Sequence, residues 1–473
     1  MNTRMTMELE SLTGSPLLAG AAYLDRVAVI GSGQSWTWRQ VHLAASALAR
    51  QFDQRDTICN LCISRVGFLV TWLAALRSDC LQILPPSGGQ ADLVAILKSC
   101  SDPVVVVDDA QLLQPQWTEH ARCLVNSPDA SRWSICDEVS PWVFDWNSPN
   151  VRLYTSGSTG APEPQTRTLG QLTRGALVLG KRLDEEVGNG LVSIKSIVCS
   201  VPPQHMFGLE TSVMLSLAHG IPVLDRRPLL PADVKAAFEL VGDGAVWITT
   251  PLHLRALIGS GDELPNCRVV IASTMALDTV VATHSERLAN APVLEIYGST
   301  ETGVVAMRRT ARDSSWRPVH NVRIDASEES NVQVWGSHFP SPQSLTDHIE
   351  IDEDGSFKLL GRHGDLIKIA GRRASLAGLN LMLNDLPGLT DGVFYLPTTG
   401  APADRLVLIH AGPPLDLVAT EHWLRERMDP VFLPRVVICV SSLERTDTGK
   451  LSRAVLDRIY AAWRSERRGD ESV

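Results

Sequence analysis

Three short stretches gather residue types that could handle phosphate. The first is Tyr154-Thr-Ser-Gly-Ser-Thr-Gly160. Consecutive small residues let backbone N–H groups converge on an anion, and the Ser and Thr hydroxyls add donors, as the β- and γ-phosphates of ATP require. Val151-Arg-Leu-Tyr154 reads as a strand entering the stretch, and a helical segment follows at Leu172, so a phosphate loop fits better than a flexible linker. It is not a Walker A loop, because Gly-Lys-Ser/Thr is missing. The second stretch is Ile296-Tyr-Gly-Ser-Thr-Glu-Thr-Gly303. An aromatic ring beside a glycine turn can stack on a base, the Thr300 hydroxyl can bind phosphate, and Glu301 can hold Mg²⁺, a hard cation that prefers oxygen. Alone, this string is as easily a turn with a solvated glutamate. The third, Arg445-Thr-Asp-Thr-Gly-Lys-Leu-Ser-Arg453, presents Lys450 just after a glycine. Alone, it reads as a surface lysine.

The elements that must position these stretches alternate in type. Val41, Ala44, Leu48 and Ala49 give a helical apolar stripe over Arg39 to Phe52. A strand near Ile58 to Ile63, a helix from Gly67 to Leu76 and a strand Leu81 to Leu84 follow. A helix Ala91 to Ser99 then leads to the strand Val104 to Asp108. Such alternation implies βαβ units and a parallel sheet covered on both faces. It resumes from Leu172 to about Val305. From Asp347 the texture changes, and Ile349 to Phe357 reads as a hairpin turning at Asp354-Gly355. The expected fold class is α/β, with a large N-terminal domain over 1–361 and a small mobile α+β domain over 365–473. The hinge is expected at 362–365.

Composition narrows the functional classes. The 473 residues exceed one compact core, and 44% hydrophobic with 20% charged residues is ordinary for a globular protein. A formal charge of −10 argues against binding nucleic acid, whose phosphates call for a basic surface. Met1 to Gly14 carries Glu8 and Glu10 and has no apolar core of a secretory signal. Apolar runs such as Val66 to Leu76 are too short for a membrane span, so no membrane insertion and a cytoplasmic location are expected. The nine cysteines show no metal-ligand spacing. Cys59 and Cys62 form a lone CxxC in an apolar run, expected to point to opposite faces as buried structural thiols.

Together, in this order and at these separations, the three stretches resemble the core motifs of the adenylate-forming superfamily of acyl-CoA synthetases, peptide-synthetase adenylation domains and luciferases. The resemblance covers nearly the whole chain. Ser35-Trp-Thr-Trp to Leu48-Ala49 is similar to the family's first helix, and Val201-Pro-Pro-Gln-His-Met-Phe-Gly208 to its His-containing strand-loop. Asp347 before a hairpin resembles the ribose-binding aspartate, and Gly361-Arg-His-Gly-Asp-Leu-Ile-Lys-Ile-Ala-Gly371 the hinge and first loop of the mobile domain. What the resemblance implies is a two-step reaction: ATP and a small carboxylic acid give acyl-adenylate and pyrophosphate, and a thiol then displaces AMP. Thr155, Ser156, Gly157, Ser158, Thr159 and Gly160 would hold the phosphates. Tyr297 would stack on adenine, Gly298, Ser299 and Thr300 would contact the nucleotide, and Glu301 would bind Mg²⁺. Asp347 would accept from the ribose hydroxyls, with Arg362 also on the nucleotide. Lys450 would bridge the reacting carboxylate and phosphate. His205, Phe207 and Gly208 would line the acid pocket. His205 is a catalytic candidate too, although a packed imidazole explains it equally well. Gly364 would be the pivot, with Lys368 and Gly371 beside the thiol channel.

The chain departs from the family pattern at three places. Glu163 stands where the phosphate loop usually carries lysine, with Arg167 four residues on as a replacement charge. Gly364 follows Arg362-His363 where Asp or Lys is usual. Ala272-Ser-Thr-Met-Ala-Leu277 replaces the usual glycine pair on the adenine side. Three functions compete: loading of an acyl carrier protein, loading of coenzyme A, and a non-catalytic binding module. The retained Lys450, Glu301, Thr300 and Asp347 speak against the last. Leu81-Gln-Ile-Leu-Pro-Pro86 and Gly160 to Leu172 resemble short stand-alone ligases of bacterial aryl-polyene-type pigment pathways. That resemblance favours the carrier protein and an acid such as 4-hydroxybenzoate.

Overall fold

The computed structural model describes residues 15–85, 90–132, 138–140, 145–156, 162–264, 266–326, 332–345, 347–362, 366–369, 372–383, 386–397, 405–445 and 451–470. The chain separates into two compact units, 1–323 with 335–343 and 324–334 with 344–473. The positions expected as the hinge, 363–365, lie outside the described residues.

The first unit carries two sheets. Its strands in chain order are β1 (Val27–Ile30), β2 (Trp36–Thr37), β3 (Thr57–Asn60), β4 (Leu81–Leu84), β5 (Pro103–Val107), β6 (Arg122–Val125), β7 (Val151–Ser156) and β8 (Pro162–Arg167). They continue with β9 (Ser196–Cys199), β10 (Val223–Leu224), β11 (Ala245–Thr249), β12 (Cys267–Ala272), β13 (Val293–Ser299), β14 (Gly303–Arg308) and β15 (Arg317–Pro318). One sheet has the order β6-β5-β3-β4-β7-β8 and the other β15-β14-β13-β12-β11-β9-β10-β1-β2. Both are parallel at the centre and turn antiparallel at an edge, where β7 pairs β8 and β13 pairs β14. The central strands are Val- and Ile-rich and buried throughout, as a parallel sheet covered on both faces requires.

The largest apolar core draws on both sheets and on the helices Trp38–Ala49, Arg65–Arg77, Leu169–Glu186 and 206–219. Pro231–Val241, Pro251–Ser260 and Thr279–Ala289 cover the other face of the nine-stranded sheet, and Gln90–Lys98 that of the six-stranded one. Two of the helices start on reciprocal side-chain caps, Thr37 with Gln40 and Thr168 with Gln171, so their N-termini are legible three residues apart in the sequence. Cys59 and Cys62 belong to the cores on opposite faces of the six-stranded sheet, and burial pushes both thiols well above their ordinary range. The strand stops at Asn60, short of the expected Ile63, because the Asn60 side chain turns back to accept from the Cys62 N–H.

The second unit holds β16 (Arg323–Asp325), β17 (Val332–Trp335) and β18 (Gln343–Leu345) as a three-stranded sheet at its chain boundaries. β19 (Asp347–Ile351) and β20 (Phe357–Arg362) form the expected hairpin, with Gly355 at φ +81° supplying the turn. β21 (Leu366–Ile369) pairs β22 (Arg372–Ser375), and β23 (Asp391–Tyr395), β24 (Val407–Ala411) and β25 (Val436–Val440) form a further three-stranded sheet. The helices Leu376–Leu383, Leu417–Arg425 and Arg453–Asp470 complete this unit.

Candidate active site

In the first unit the expected nucleotide residues 297–301 lie together on one tight hairpin. β13 and β14 pair antiparallel, with Gly298 opposite Val304 and Ser299 opposite Gly303. The two strands meet so closely that a Cβ on Gly298 would lie 2.1 Å from the Gly303 carbonyl oxygen. Gly303 takes φ +71°, which suits glycine. Ser299 and Thr302 close the turn from its two ends. The Ser299 N–H donates to Thr302 Oγ1 at 3.1 Å, and the Glu301 and Thr302 N–H groups donate to Ser299 Oγ at 3.2 and 3.3 Å. With those flanking side chains occupied inward, Thr300 and Glu301 stand half-exposed at the tip.

The base of the hairpin is braced by a buried network that sequence reasoning missed. Glu295 accepts from Arg308 at 2.8 Å and Thr310 at 2.7 Å, and its other oxygen accepts from the Leu277 N–H at 2.9 Å. Burial raises its carboxyl, and Arg308 pulls against that rise. Arg308 lies 4.4 Å over the Trp316 ring, and Trp316 packs against Tyr297 with centroids 5.6 Å apart. The ring expected to stack on a base is therefore held from behind. Glu295 also ties down the adenine-side loop, where Ser273 Oγ donates to the Ile296 carbonyl and Thr274 takes φ +81°. A β-branched residue rarely adopts that angle, so Thr274 sits strained within the 272–277 segment.

The expected phosphate loop is bracketed by β7 and β8, which pair from Val151 with Arg167 up to Ser156 with Pro162. Only the backbone of Thr155 and Ser156 is described, and Gly157, Ser158, Thr159 and Gly160 lie outside the described residues. Arg167 is 2% exposed and donates through Nη2 to the Thr300 carbonyl, so its charge is committed to the hairpin turn. Burial lowers its guanidinium to about 10, opposed by Glu210 and Glu301.

His205 caps the short helix Met206–Gly208, its Nδ1 accepting from the Phe207 N–H at 3.3 Å. The segment before it is pinned from the other sheet. Arg65, 1% exposed, donates to the Cys199 and Val201 carbonyls, and Gln204 donates to those of Asn60 and Cys62. Phe207 and Gly208 are buried, and a Cβ on Gly208 would lie 2.1 Å from the Pro202 carbonyl oxygen. The helix then widens into a π turn at Leu209–Met214, a distortion frequent at functional sites.

In the second unit, Asp347 and Arg362 are register partners at the open end of the β19–β20 hairpin, a juxtaposition that their separation in sequence hides. Asp347 is 9% exposed. For Arg362 and for Lys368 on β21 only the backbone is described. Gly364, Gly371 and Lys450 lie outside the described residues. The positions around Lys450 are flanked by the bridged pair Arg445 and Leu451, and Arg445 forms a two-pronged ion pair with Asp391 at 2.6 and 3.0 Å.

The residues present fit a magnesium nucleotide. Among the described residues no three His, Cys, Asp or Glu side chains gather as a cation cage, and Glu301 stands half-exposed at the turn, acting electrostatically on Arg167. One or two carboxylates completed by phosphate oxygens and water are the way Mg²⁺ is usually held. No helix among the described residues is long and apolar enough to cross a membrane.

A mixed sheet with a turn built to present a threonine and a carboxylate beside a braced tyrosine defines a nucleotide-binding α/β protein. Residues 19–332 match the AMP-binding enzyme family, and the chain belongs to it. The chain is similar to the 4-coumarate–CoA ligase of Cereibacter sphaeroides, 26% identical over 242 residues, 51% of this chain and 55% of that protein. It thus spans little more than half the length of the curated ligases it matches. Among solved structures, o-succinylbenzoate CoA synthetase from Bacillus subtilis with its acyl-adenylate intermediate superposes with a TM-score of 0.79. The match covers 93% of this chain and 98% of that one at 16% identity. A benzoate CoA ligase from Burkholderia xenovorans LB400 gives 0.75 at 16% identity, over 93% and 98% of the two chains. These two share the fold.

Proposed function

We propose that the chain is an AMP-forming acid–thiol ligase acting on a small aromatic carboxylic acid. The observation that carries this reading is the β13–β14 turn, which presents Thr300 and Glu301 outward beside the braced Tyr297. In the first step a carboxylate oxygen attacks the α-phosphorus of ATP, the bond to the β-phosphate breaks, and pyrophosphate leaves. Thr300 donates to the α-phosphate and Lys450 offsets the repulsion between carboxylate and phosphate. Glu301 would hold Mg²⁺, which when bound would supply charge neutralisation at the phosphates. Asp347 and Arg362 hold the ribose side of the nucleotide, and Phe207 and Gly208 shape the acid pocket, with His205 at its edge. In the second step a thiolate attacks the acyl carbon and AMP departs.

The named relatives support an aromatic acid and coenzyme A as the thiol. The strings at 81–86 and 160–172 support the alternative acceptor, the phosphopantetheine of an acyl carrier protein, with 4-hydroxybenzoate for pigment biosynthesis as the matching acid. The test is ATP–pyrophosphate exchange over a panel of aromatic and aliphatic acids. An aromatic acid should give the highest specificity constant, and Lys450→Ala should lower the exchange rate by ~10²–10³. Exchange in Lys450→Ala within tenfold of wild type would remove the assignment of Lys450, and no exchange with any acid would remove the ligase reading.

A further inference from the structure

Two buried ionisable side chains that the reaction scheme does not use hold opposite ends of the same turn. Arg167 ends β8, is 2% exposed, and donates to the Thr300 carbonyl; its Nε and Nη1 have no partner among the described residues. Glu210 lies in the π turn, is 3% exposed, and accepts from the Val304 N–H at 3.1 Å through one oxygen; the other oxygen has no partner among the described residues. Room for this carboxylate is made by two glycines. A Cβ on Gly175 would lie 2.3 Å from Glu210 Oε1, and one on Gly303 2.9 Å from it. His338, also buried, donates to or accepts from nothing at Nδ1 among the described residues, while its Nε2 hydrogen-bonds the Val304 carbonyl at 2.7 Å.

Burying a guanidinium and a carboxylate is costly, and a hydrogen-bonded apolar replacement does not exist for either anchor. A methionine at 167 or 210 would fill the volume but leave the Thr300 carbonyl or the Val304 N–H without its partner. Burial works against the ionised form of both groups, and each partly offsets that for the other across the turn, with Glu301 at the tip also acting on Arg167. One further feature gives the arrangement direction. β8 follows directly on the expected phosphate loop, so Arg167 ties the strand leaving that loop to the backbone of Thr300.

We infer that Arg167 and Glu210 are positioning residues that set Thr300 and Glu301 in place for the nucleotide phosphates and magnesium, an inference that rests on the ligase reading. Neither residue touches substrate. Arg167 fixes the carbonyl side of the turn and Glu210 its exit, so the tip is held at both ends while its side chains stay outward.

The experiment uses the full chain, with ATP–pyrophosphate exchange, magnesium titration and MgATP calorimetry on R167M, R167K, E210Q and R167M/E210Q. R167M should lower the exchange kcat ~30-fold and raise half-saturating Mg²⁺ and the MgATP Kd ~10-fold, while the acid KM moves less than ~2-fold. R167K, which keeps charge and donor, should return kcat to within ~3-fold of wild type. The effects of R167M and E210Q should be non-additive, because they release the same turn. If R167M does not fold, R167Q is measured in its place. The proposal is overturned if the folded variant matches wild type in kcat and Mg²⁺ dependence, or if R167M and R167K lose activity alike with a raised acid KM. Wild type that binds MgATP but exchanges with no acid sinks the ligase reading alone, since the calorimetry still reads the turn; wild type that binds no MgATP overturns both.

Discussion

Glu210 shows most directly how a single side chain registers its surroundings. Burial pushes its carboxyl from 4.5 up to about 7, although Arg167 and the Val304 N–H pull it down. The unfolded chain releases this proton near 4.5 and the folded chain near 7, so between those values the folded state holds more protons. The contribution is therefore fully present below about 4.5 and is lost as pH rises through the folded value, a decline of ~3 kcal/mol at most. Glu210→Gln removes this slope. In denaturant unfolding from roughly pH 5 to 8, the variant should gain on wild type by ~3 kcal/mol toward the alkaline end. A difference that stays flat with pH would show that Glu210 does not carry the buried proton. Residues of this kind were not legible in the sequence. Tyr297, Thr300 and Glu301 could be singled out as candidates because adjacent letters suggest their chemistry. Arg167 was legible only as a spare charge near the phosphate loop, and Glu210 and Glu295 not at all, because their roles come from burial by distant elements.

Among elements, the β13–β14 hairpin depends on glycine at one position for a steric reason. A Cβ at Gly298 would lie 2.1 Å from the Gly303 carbonyl, with backbone on the receiving side, so nothing can swing away. Gly298→Ala should cost ~1–3 kcal/mol in unfolding free energy and misplace Thr300 and Glu301. By contrast, Gly33→Ala meets no atom within 4 Å and should stay within ~0.5 kcal/mol of wild type. Equal stability of the two variants would refute the steric account. Elements of this first unit were largely legible. Leu81–Leu84 falls where its apolar run places it, and the helix after the phosphate loop starts at Leu169, on the Thr168 cap, slightly before the stripe at Leu172 suggests. The β19–β20 hairpin was legible from Asp354-Gly355, but its register, which sets Asp347 opposite Arg362, was not, because register depends on pairing and leaves no mark in either strand alone.

At the scale of the whole molecule, the two compact units pose the question of how one chain could serve two half-reactions. In the proposed reaction, adenylation calls on Lys450 at the carboxylate, whereas thioester formation calls on a thiol to reach the same acyl carbon. We propose Gly364 as the pivot for that exchange and Lys368 and Gly371 as the residues near the thiol, a reading that rests on the resemblance to adenylate-forming enzymes. A pivot residue acts only on the step that requires rotation, so the two half-reactions separate it from residues that bind the nucleotide. Gly364→Pro restricts φ at one backbone position and should leave pyrophosphate exchange within ~3-fold of wild type while slowing thioester formation ~10-fold or more. The same assay decides the acceptor when coenzyme A and holo carrier protein are each supplied with the best aromatic acid. Carrier proteins are generally acidic, and a chain of formal charge −10 would need a local basic surface to dock one. Arg435 is exposed, and Arg372 is largely exposed beside Asp429 at 3.7 Å, so both are open to such a partner. Charge reversal at Arg372 and Arg435 should then raise the KM for carrier protein and leave that for coenzyme A unchanged. A higher specificity constant for coenzyme A than for every carrier protein tried, insensitive to both arginines, would assign the thiol to coenzyme A.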